Sequence, residues 1–127
     1  METKLYLDTH IIVWLYDSEI EKLSKKACQL IDSCFLYVSE FVRLELQYLY
    51  EIKRIEKEPD PIIRYLEDEI GLTRCDHKLS GIITESFLHN WTRDPFNRLI
   101  TANASLMDND LLTKDEKILK NYKNAVW

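Results

Sequence analysis

The sequence predicts an α/β domain in which helices cover both faces of a central parallel sheet, a three-layer α/β/α arrangement. Two observations lead there. Short apolar runs of strand length alternate with segments of helical periodicity from end to end, the pattern that parallel strands joined by crossover helices require. A chain of 127 residues, 46% hydrophobic and 31% charged, also suffices for one layered core without room for a second. Residues 1–127 are therefore expected to form a single domain.

Taken in order, Lys4–Leu7 reads as the first strand, followed by a helix through Ile11, Ile12, Trp14 and Leu15. Residues 20–31 carry Leu23, Ala27, Leu30 and Ile31 at helical spacing and predict one continuous helix. Phe35–Val38 is the second strand, and Ser39 is a suitable N-cap for a helix reaching about Ile55. Asp60-Pro61 reads as a cap followed by proline at the first helical position, with Gly71 ending that helix. Residues 72–75 form a short strand and residues 79–89 a helix. Asp94-Pro95 repeats the cap-and-proline signature and opens a helix to about Met107. Residues 110–113 make another strand, 115–120 a short helix, and 125–127 a final edge strand.

Composition closes several routes to function. No apolar run reaches the ~18 residues of a membrane span, and the N-terminus enters a strand without a cleavable apolar stretch, so a cytoplasmic protein is expected. Cys28, Cys34 and Cys75 make no CxxC pair and leave one thiol over in any disulfide scheme; reduced thiols follow. His10, His77 and His89 add no zinc spacing. With only Gly71 and Gly81, neither a dinucleotide-binding loop nor a P-loop is possible. A net charge of −5 argues against simple electrostatic binding of nucleic acid, unless metal ions supply positive charge at the reacting phosphate.

In parallel sheets ligands bind outside the carboxyl ends of the strands, and acids stand there. Asp8 follows the first strand, Asp115 follows the 110–113 strand, and Asp94 opens a helix. Each alone is explained as an N-cap, worth about 1 kcal/mol. Glu45 is harder to explain that way. The polar stripe of its helix is Arg43, Gln47, Glu51 and Arg54, whereas Glu45 falls beside Phe41, Val42, Tyr48 and Leu49. A carboxylate on an apolar face must be paired, for which Arg98 is a candidate, or protonated, or bound to metal. Asp8, Glu45, Asp94 and Asp115 together suit Mg²⁺ or Mn²⁺, which take oxygen ligands and complete their shells with water. Such an ion activates water and stabilises charge on a phosphate. Metal-assisted hydrolysis is thus favoured over covalent catalysis.

Leu7-Asp8-Thr9-His10, Val38-Ser39 with Glu45, Arg93-Asp94-Pro95-Phe96-Asn97-Arg98-Leu99-Ile100 and Leu112-Thr113-Lys114-Asp115, in this order and spacing, resemble the PIN domain of VapC-type toxins over nearly the whole chain. The resemblance implies a PIN-like fold and a Mg²⁺- or Mn²⁺-dependent ribonuclease, the toxin half of a type II toxin–antitoxin pair, with RNA as substrate and an antitoxin protein as partner. The family acids fall on Asp8, Glu45 and Asp115, with Thr9, Ser39 and Thr113 at positions that contact metal waters or phosphate. One departure stands out. The family motif reads Asp-Pro-Phe-Asp-Arg-Leu, and here Asn97 replaces its second acid. Asp94 and Asn97 lie one helical turn apart and can face the same site, but an amide offers oxygen without charge. Weakened metal binding with an intact fold is the expectation.

Arg93, Arg98 and Lys114 are candidate phosphate contacts, or equally well solvated or carboxylate-paired surface. His10 is read as a partly buried helix histidine without a catalytic role. Trp14, Tyr16, Phe41, Tyr48, Tyr50 and Trp91 supply apolar surface for a homodimer face or an antitoxin helix where they are not core. A haloacid-dehalogenase-type phosphotransferase would need a second Asp where His10 stands. The alternative of another class is a catalytically weak or inactive PIN-like module that binds RNA or a partner protein, and Asn97 is what sustains it.

Overall fold

The computed structural model describes residues 3–127; the reading of Met1 and Glu2 as the approach to the first strand lies outside them. Five strands, β1 (Lys4–Leu7), β2 (Phe35–Val38), β3 (Thr73–Arg74), β4 (Asp110–Leu112) and β5 (Ala125–Val126), form one sheet in the order β3-β2-β1-β4-β5. Every pairing is parallel. Seven helices among the described residues flank it: α1 (Thr9–Tyr16), α2 (Lys25–Ser33), α3 (Glu40–Glu51), α4 (Pro59–Ile70), α5 (Leu79–Ser86), α6 (Pro95–Ser105) and α7 (Glu116–Asn121). The arrangement is the expected three-layer α/β/α sheet sandwich.

The central strands are buried on both faces, as parallel strands covered by helices must be. Leu5, Leu7, Leu111 and Leu112 are almost completely enclosed, with Ile11, Ile12, Leu46, Ile63, Ile100 and Ile118 packed around them. From β1 the chain builds outward through β2 and β3, then crosses to the other side of β1 for β4 and β5. The order therefore reverses between β1 and β4. That junction is where open α/β sheets leave a crevice at the strands' carboxyl ends.

Several boundaries differ from the sequence expectation: α5 ends at Ser86 rather than at residue 89, α6 at Ser105 rather than about Met107, and three others have a clear local reason. Residues 20–31 are not one helix: a 3-10 turn over Ile20–Lys22 ends at extended Leu23, and Ser24 caps α2 by accepting from the Ala27 amide at 2.9 Å. Helix α4 starts at Pro59, not after Asp60, so Pro61 also sits in the first turn, where its missing N–H costs nothing. Asp60 instead accepts from Arg43 Nε at 2.7 Å. Helix α3 stops at Glu51 rather than near Ile55. The Lys53 amide donates to Tyr50 O at 3.1 Å and the Arg54 amide to Leu49 O at 2.8 Å, a Schellman cap with Lys53 left-handed at φ 64°.

Gly71 ends α4 in the left-handed region at φ 69°, with open space where a Cβ would lie. Backbone conformation is thus the whole penalty of a substitution. Gly71→Ala is expected to lower stability by about 1 kcal/mol, measured by urea denaturation with an unchanged m-value.

Candidate active site

The carboxyl edge of the sheet gathers acids because three helices begin there and each begins on aspartate. Asp8 Oδ1 accepts from the Thr9 amide at 2.7 Å. Asp94 Oδ1 accepts from the amides of Phe96 at 2.9 Å and Asn97 at 3.3 Å. Asp115 Oδ1 accepts from Lys117 at 2.9 Å and Ile118 at 3.0 Å. Capping and site-building are therefore the same act: Oδ1 locks each carboxylate onto its helix, and Oδ2 remains for neighbours. The positive ends of the α1, α6 and α7 backbone dipoles ease the assembly of like charges.

Two of those second oxygens are engaged across the site. Thr113, fully buried, donates from Oγ1 to Asp8 Oδ2 at 2.7 Å and accepts from the Asp115 amide at 3.0 Å. Asn97 Nδ2 donates to Asp115 Oδ2 at 3.3 Å. Glu45 enters from α3, where its Oε1 accepts a short hydrogen bond from the Thr9 hydroxyl. Asp8, Thr9, His10, Glu45, Asp94, Asn97 and Asp115 line one open cleft of about 540 Å³, closed on its other side by Trp14, Leu49, Arg54 and Ile55 among others.

Glu45's carboxyl is held above its usual pKa. Burial is the main cause; the charges of Asp8, Asp94 and Asp115 add to it, and the Thr9 hydroxyl works the other way. The four acids thus share one electrostatic field. They do not share a closed cage: among the described residues no three His, Cys, Asp or Glu side chains converge tightly enough to hold an ion unaided. An oxygen-only set of this spread fits a hydrated hard cation, which takes one or two carboxylates directly and fills its remaining positions with water. Asp8, Glu45, Asp94 and Asp115 are the residues that would hold it, with Asn97 as a neutral oxygen donor.

The sequence matches the family model for the PIN domain over residues 5–124. The chain belongs to the PIN domain family. Solved structures share its fold: VapBC2 from Rickettsia felis, bound to a DNA fragment from their promoter, superposes with a TM-score of 0.66 at 18% identity, covering 98% of this chain and 96% of that one. DNA-bound VapBC from Salmonella typhimurium gives 0.58 at 15% identity, covering 97% and 95% respectively. Among curated proteins none matches the sequence.

In this PIN domain the residues singled out from the sequence do not all reach the cleft. Ser39 is buried, caps α3 through the Phe41 amide at 3.0 Å, and donates to Asn103 Oδ1 at 2.7 Å. It serves an interior network in which Asn103 Nδ2 and the Tyr6 hydroxyl both meet Cys75 Sγ at 3.0 Å, not the acid cleft. Arg93 donates to Asn90 O at 2.8 Å, and Arg98 Nε to Ser86 O at 2.9 Å; neither lines the cleft. Arg98 is consequently no ion-pair partner for Glu45. Lys114 lies outside as well, its ammonium 6.0 Å from the Trp14 ring centre and 5.8 Å from that of Trp127.

Two cleft residues were undervalued in the sequence. His10 accepts the Lys114 amide on Nε2 at 2.9 Å, so its ring proton lies on Nδ1, 3.8 Å from Asp8 Oδ2. It is a strut between α1 and the β4–α7 turn. Arg54 was assigned to the polar stripe of a longer α3; the early stop of that helix carries it into the cleft wall.

The raised pKa of Glu45 has a defined sign. The folded chain keeps this proton over a pH range in which the unfolded chain has lost it, so the group favours folding at low pH and progressively less as pH rises through the raised value. Glu45→Gln is therefore expected to raise the Tm of the metal-free protein at pH 8 and to leave it nearly unchanged near pH 4. Calorimetry in a chelating buffer at both pH values checks this.

Proposed function

We propose that the chain is a metal-dependent endoribonuclease, the toxin of a type II toxin–antitoxin pair. The observation that carries the proposal is the convergence of Asp8, Glu45, Asp94 and Asp115, from four separate elements, on one cleft at the β1–β4 junction. Evenly spread surface acids would not raise Glu45 together. The match to the PIN domain family and the motif resemblance to VapC-type toxins support the same reading.

Bound Mg²⁺ or Mn²⁺ supplies the positive charge at the scissile phosphate that a chain of net charge −5 otherwise lacks. The chain's own residues hold the geometry. Asp8 is fixed by Thr9 and Thr113 on its two oxygens; Asp115 is fixed by the α7 amides and Asn97. Glu45, bonded to the Thr9 hydroxyl and held above its usual pKa by burial and by its acidic neighbours, would offer its oxygens to the bound ion. Asn97 lowers the negative charge of the set, which supports reduced metal affinity and sustains the second reading, a PIN module that binds RNA or a protein with little turnover.

A mixed tRNA pool incubated with Mn²⁺ or Mg²⁺ separates these readings. Cleavage by the chain as it stands, lost with chelator and reduced at least a hundredfold in Asp8→Ala, is the expected result. Asn97→Asp is expected to tighten Mn²⁺ binding on the order of tenfold, read by calorimetric titration. Absence of cleavage by both proteins under either metal, with RNA binding retained, would favour the binding module.

A homodimer is also proposed, on a surface the sequence did not indicate. Of the aromatics read from the sequence, Trp14, Tyr16, Phe41 and Trp91 pack against the core and Tyr48 is exposed on α3, whereas Leu79, Ile83 and Phe87, spaced one helical turn apart, are exposed together with Leu88 and Met107. An apolar stripe of that kind marks an association site. Phe87→Asp is expected to convert a dimer to a monomer in light scattering without loss of helical circular dichroism.

A further inference from the structure

We propose that Arg54 binds an RNA phosphate next to the scissile one, and so leads the strand out of the acid cleft into the neighbouring groove. The inference rests on the nuclease reading above and adds to it a substrate-positioning residue.

Arg54 lines the acid cleft, yet its guanidinium is within ion-pair distance of no carboxylate among the described residues. Four of the other five arginines are held: Arg43 by Asp60 and Glu40, Arg74 by Glu67, Arg93 by Asn90 O and Arg98 by Ser86 O. The exposed Arg64 shares the lack of such a partner among the described residues but lines neither the acid cleft nor the groove beside it. An arginine whose task was to neutralise the acids would be in contact with one of them, because a paired guanidinium is the favoured state beside carboxylates. Arg54 instead stands at the wall with its five donors uncommitted to side chains.

Its backbone is fixed even though its side chain is exposed. The Schellman cap of α3 ties the Arg54 amide to Leu49 O, so the chain turns back at Lys53 and delivers Arg54 and Ile55 to the cleft wall. A helix continued to Ile55 would have left Arg54 on its outer stripe.

Arg54 also occupies a joint. A second groove of about 410 Å³ begins where the acid cleft ends, and the two share Val13, Trp14, Arg54 and Ile55. Trp14, Tyr16 and Ile62 make part of its lining apolar, and Lys57 and Lys22, the latter paired with Glu19, add two further cations. A polynucleotide whose scissile phosphate lies against the acids has its next phosphate several ångströms away, at the shared wall. A planar guanidinium there forks onto two phosphate oxygens, and the apolar lining beyond receives the attached nucleoside. The acids of the second groove, Asp17, Glu19 and Glu56, restrict its cationic character to the joint itself, which favours one phosphate contact over a long basic track.

The test compares the unmodified chain with Arg54→Ala and Arg54→Lys, using a fluorescently labelled single-stranded RNA in chelating buffer so that binding is read without cleavage. Arg54→Ala is expected to weaken binding about tenfold and to lower the dependence of log Kd on log salt by about 0.7, the loss of one phosphate contact to a single strand. Arg54→Lys should keep the salt dependence while recovering part of the affinity. Under Mn²⁺ the loss in Arg54→Ala should fall on KM more than on kcat, with Mn²⁺ affinity and Tm unaltered. Unchanged RNA binding together with tighter Mn²⁺ binding in Arg54→Ala would overturn the proposal and make Arg54 a counter-charge to the acids. Unchanged RNA binding and unchanged Mn²⁺ affinity would also overturn it, leaving the nuclease reading intact if the unmodified chain cleaves. Failure of the unmodified chain both to bind and to cleave RNA would remove both proposals together.

Discussion

The carboxyl edge of the sheet depends on the buried hydrogen bond from Thr113 to Asp8, because it joins the two parallel strands between which the strand order reverses. Strand pairing continues past the formal end of β1 through the Asp8 amide and Leu112 O at 3.0 Å, and the Thr113 hydroxyl then ties the side chains together. With its hydrogen donated to Asp8, that hydroxyl accepts the Asp115 amide. One buried threonine thus sets Asp8, the start of α7 and the position of Asp115 at once. A valine of nearly the same shape would preserve packing but leave both Asp8 Oδ2 and the Asp115 amide without this partner, a cost of the order of 1–3 kcal/mol for each buried group so stranded.

Crowding of carboxylates is the energetic problem this edge has to solve, and the solution is distributed. Three aspartates place one oxygen each on helix-terminal amides, which are themselves in want of acceptors. Glu45, which has no terminus to cap, takes the Thr9 hydroxyl and carries the residual penalty as a raised pKa. Under the proposed function, a cation bound among these acids would relieve the repulsion that remains.

The strand–helix alternation was legible because the chain punctuates it with caps: Asp8, Ser39, Asp94 and Asp115 all begin helices where the residue types say they should. Glu45 stood out because it interrupts an apolar face. What the sequence concealed came from stops without the usual residue. Lys53 adopts the left-handed conformation that glycine would have announced, so α3 appeared longer than it is and Arg54 was placed on the wrong surface. Ser24 was passed over inside a run whose apolar spacing was already helical. Arg93 and Arg98 flank the acid motif in sequence, but Arg93, in the turn before α6, bonds Asn90 O, and Arg98, on α6, bonds Ser86 O of α5. Proximity along a chain did not specify which side of a helix a cation would take.

Asn97 shows how a single neutral side chain shifts this balance. Its amide donates to Asp115 Oδ2 at 3.3 Å; an aspartate in the same rotamer would set two carboxylate oxygens at that separation with no proton between them. In the metal-free chain the asparagine therefore converts a repulsive contact into an attractive one, and Asp115 is held in place by α7 on one side and Asn97 on the other. The same exchange removes one negative charge from the set that would face a divalent ion under the proposed function. Asn97 should favour the folded, metal-free state and disfavour the loaded one, so an effect on metal affinity and an effect on stability are expected to carry opposite signs. A fold held this firmly around its acids would retain the shape of the site even if the proposed chemistry were slowed, because the shape comes from Thr113, Thr9 and the helix termini, while metal affinity would follow the number of charges they hold.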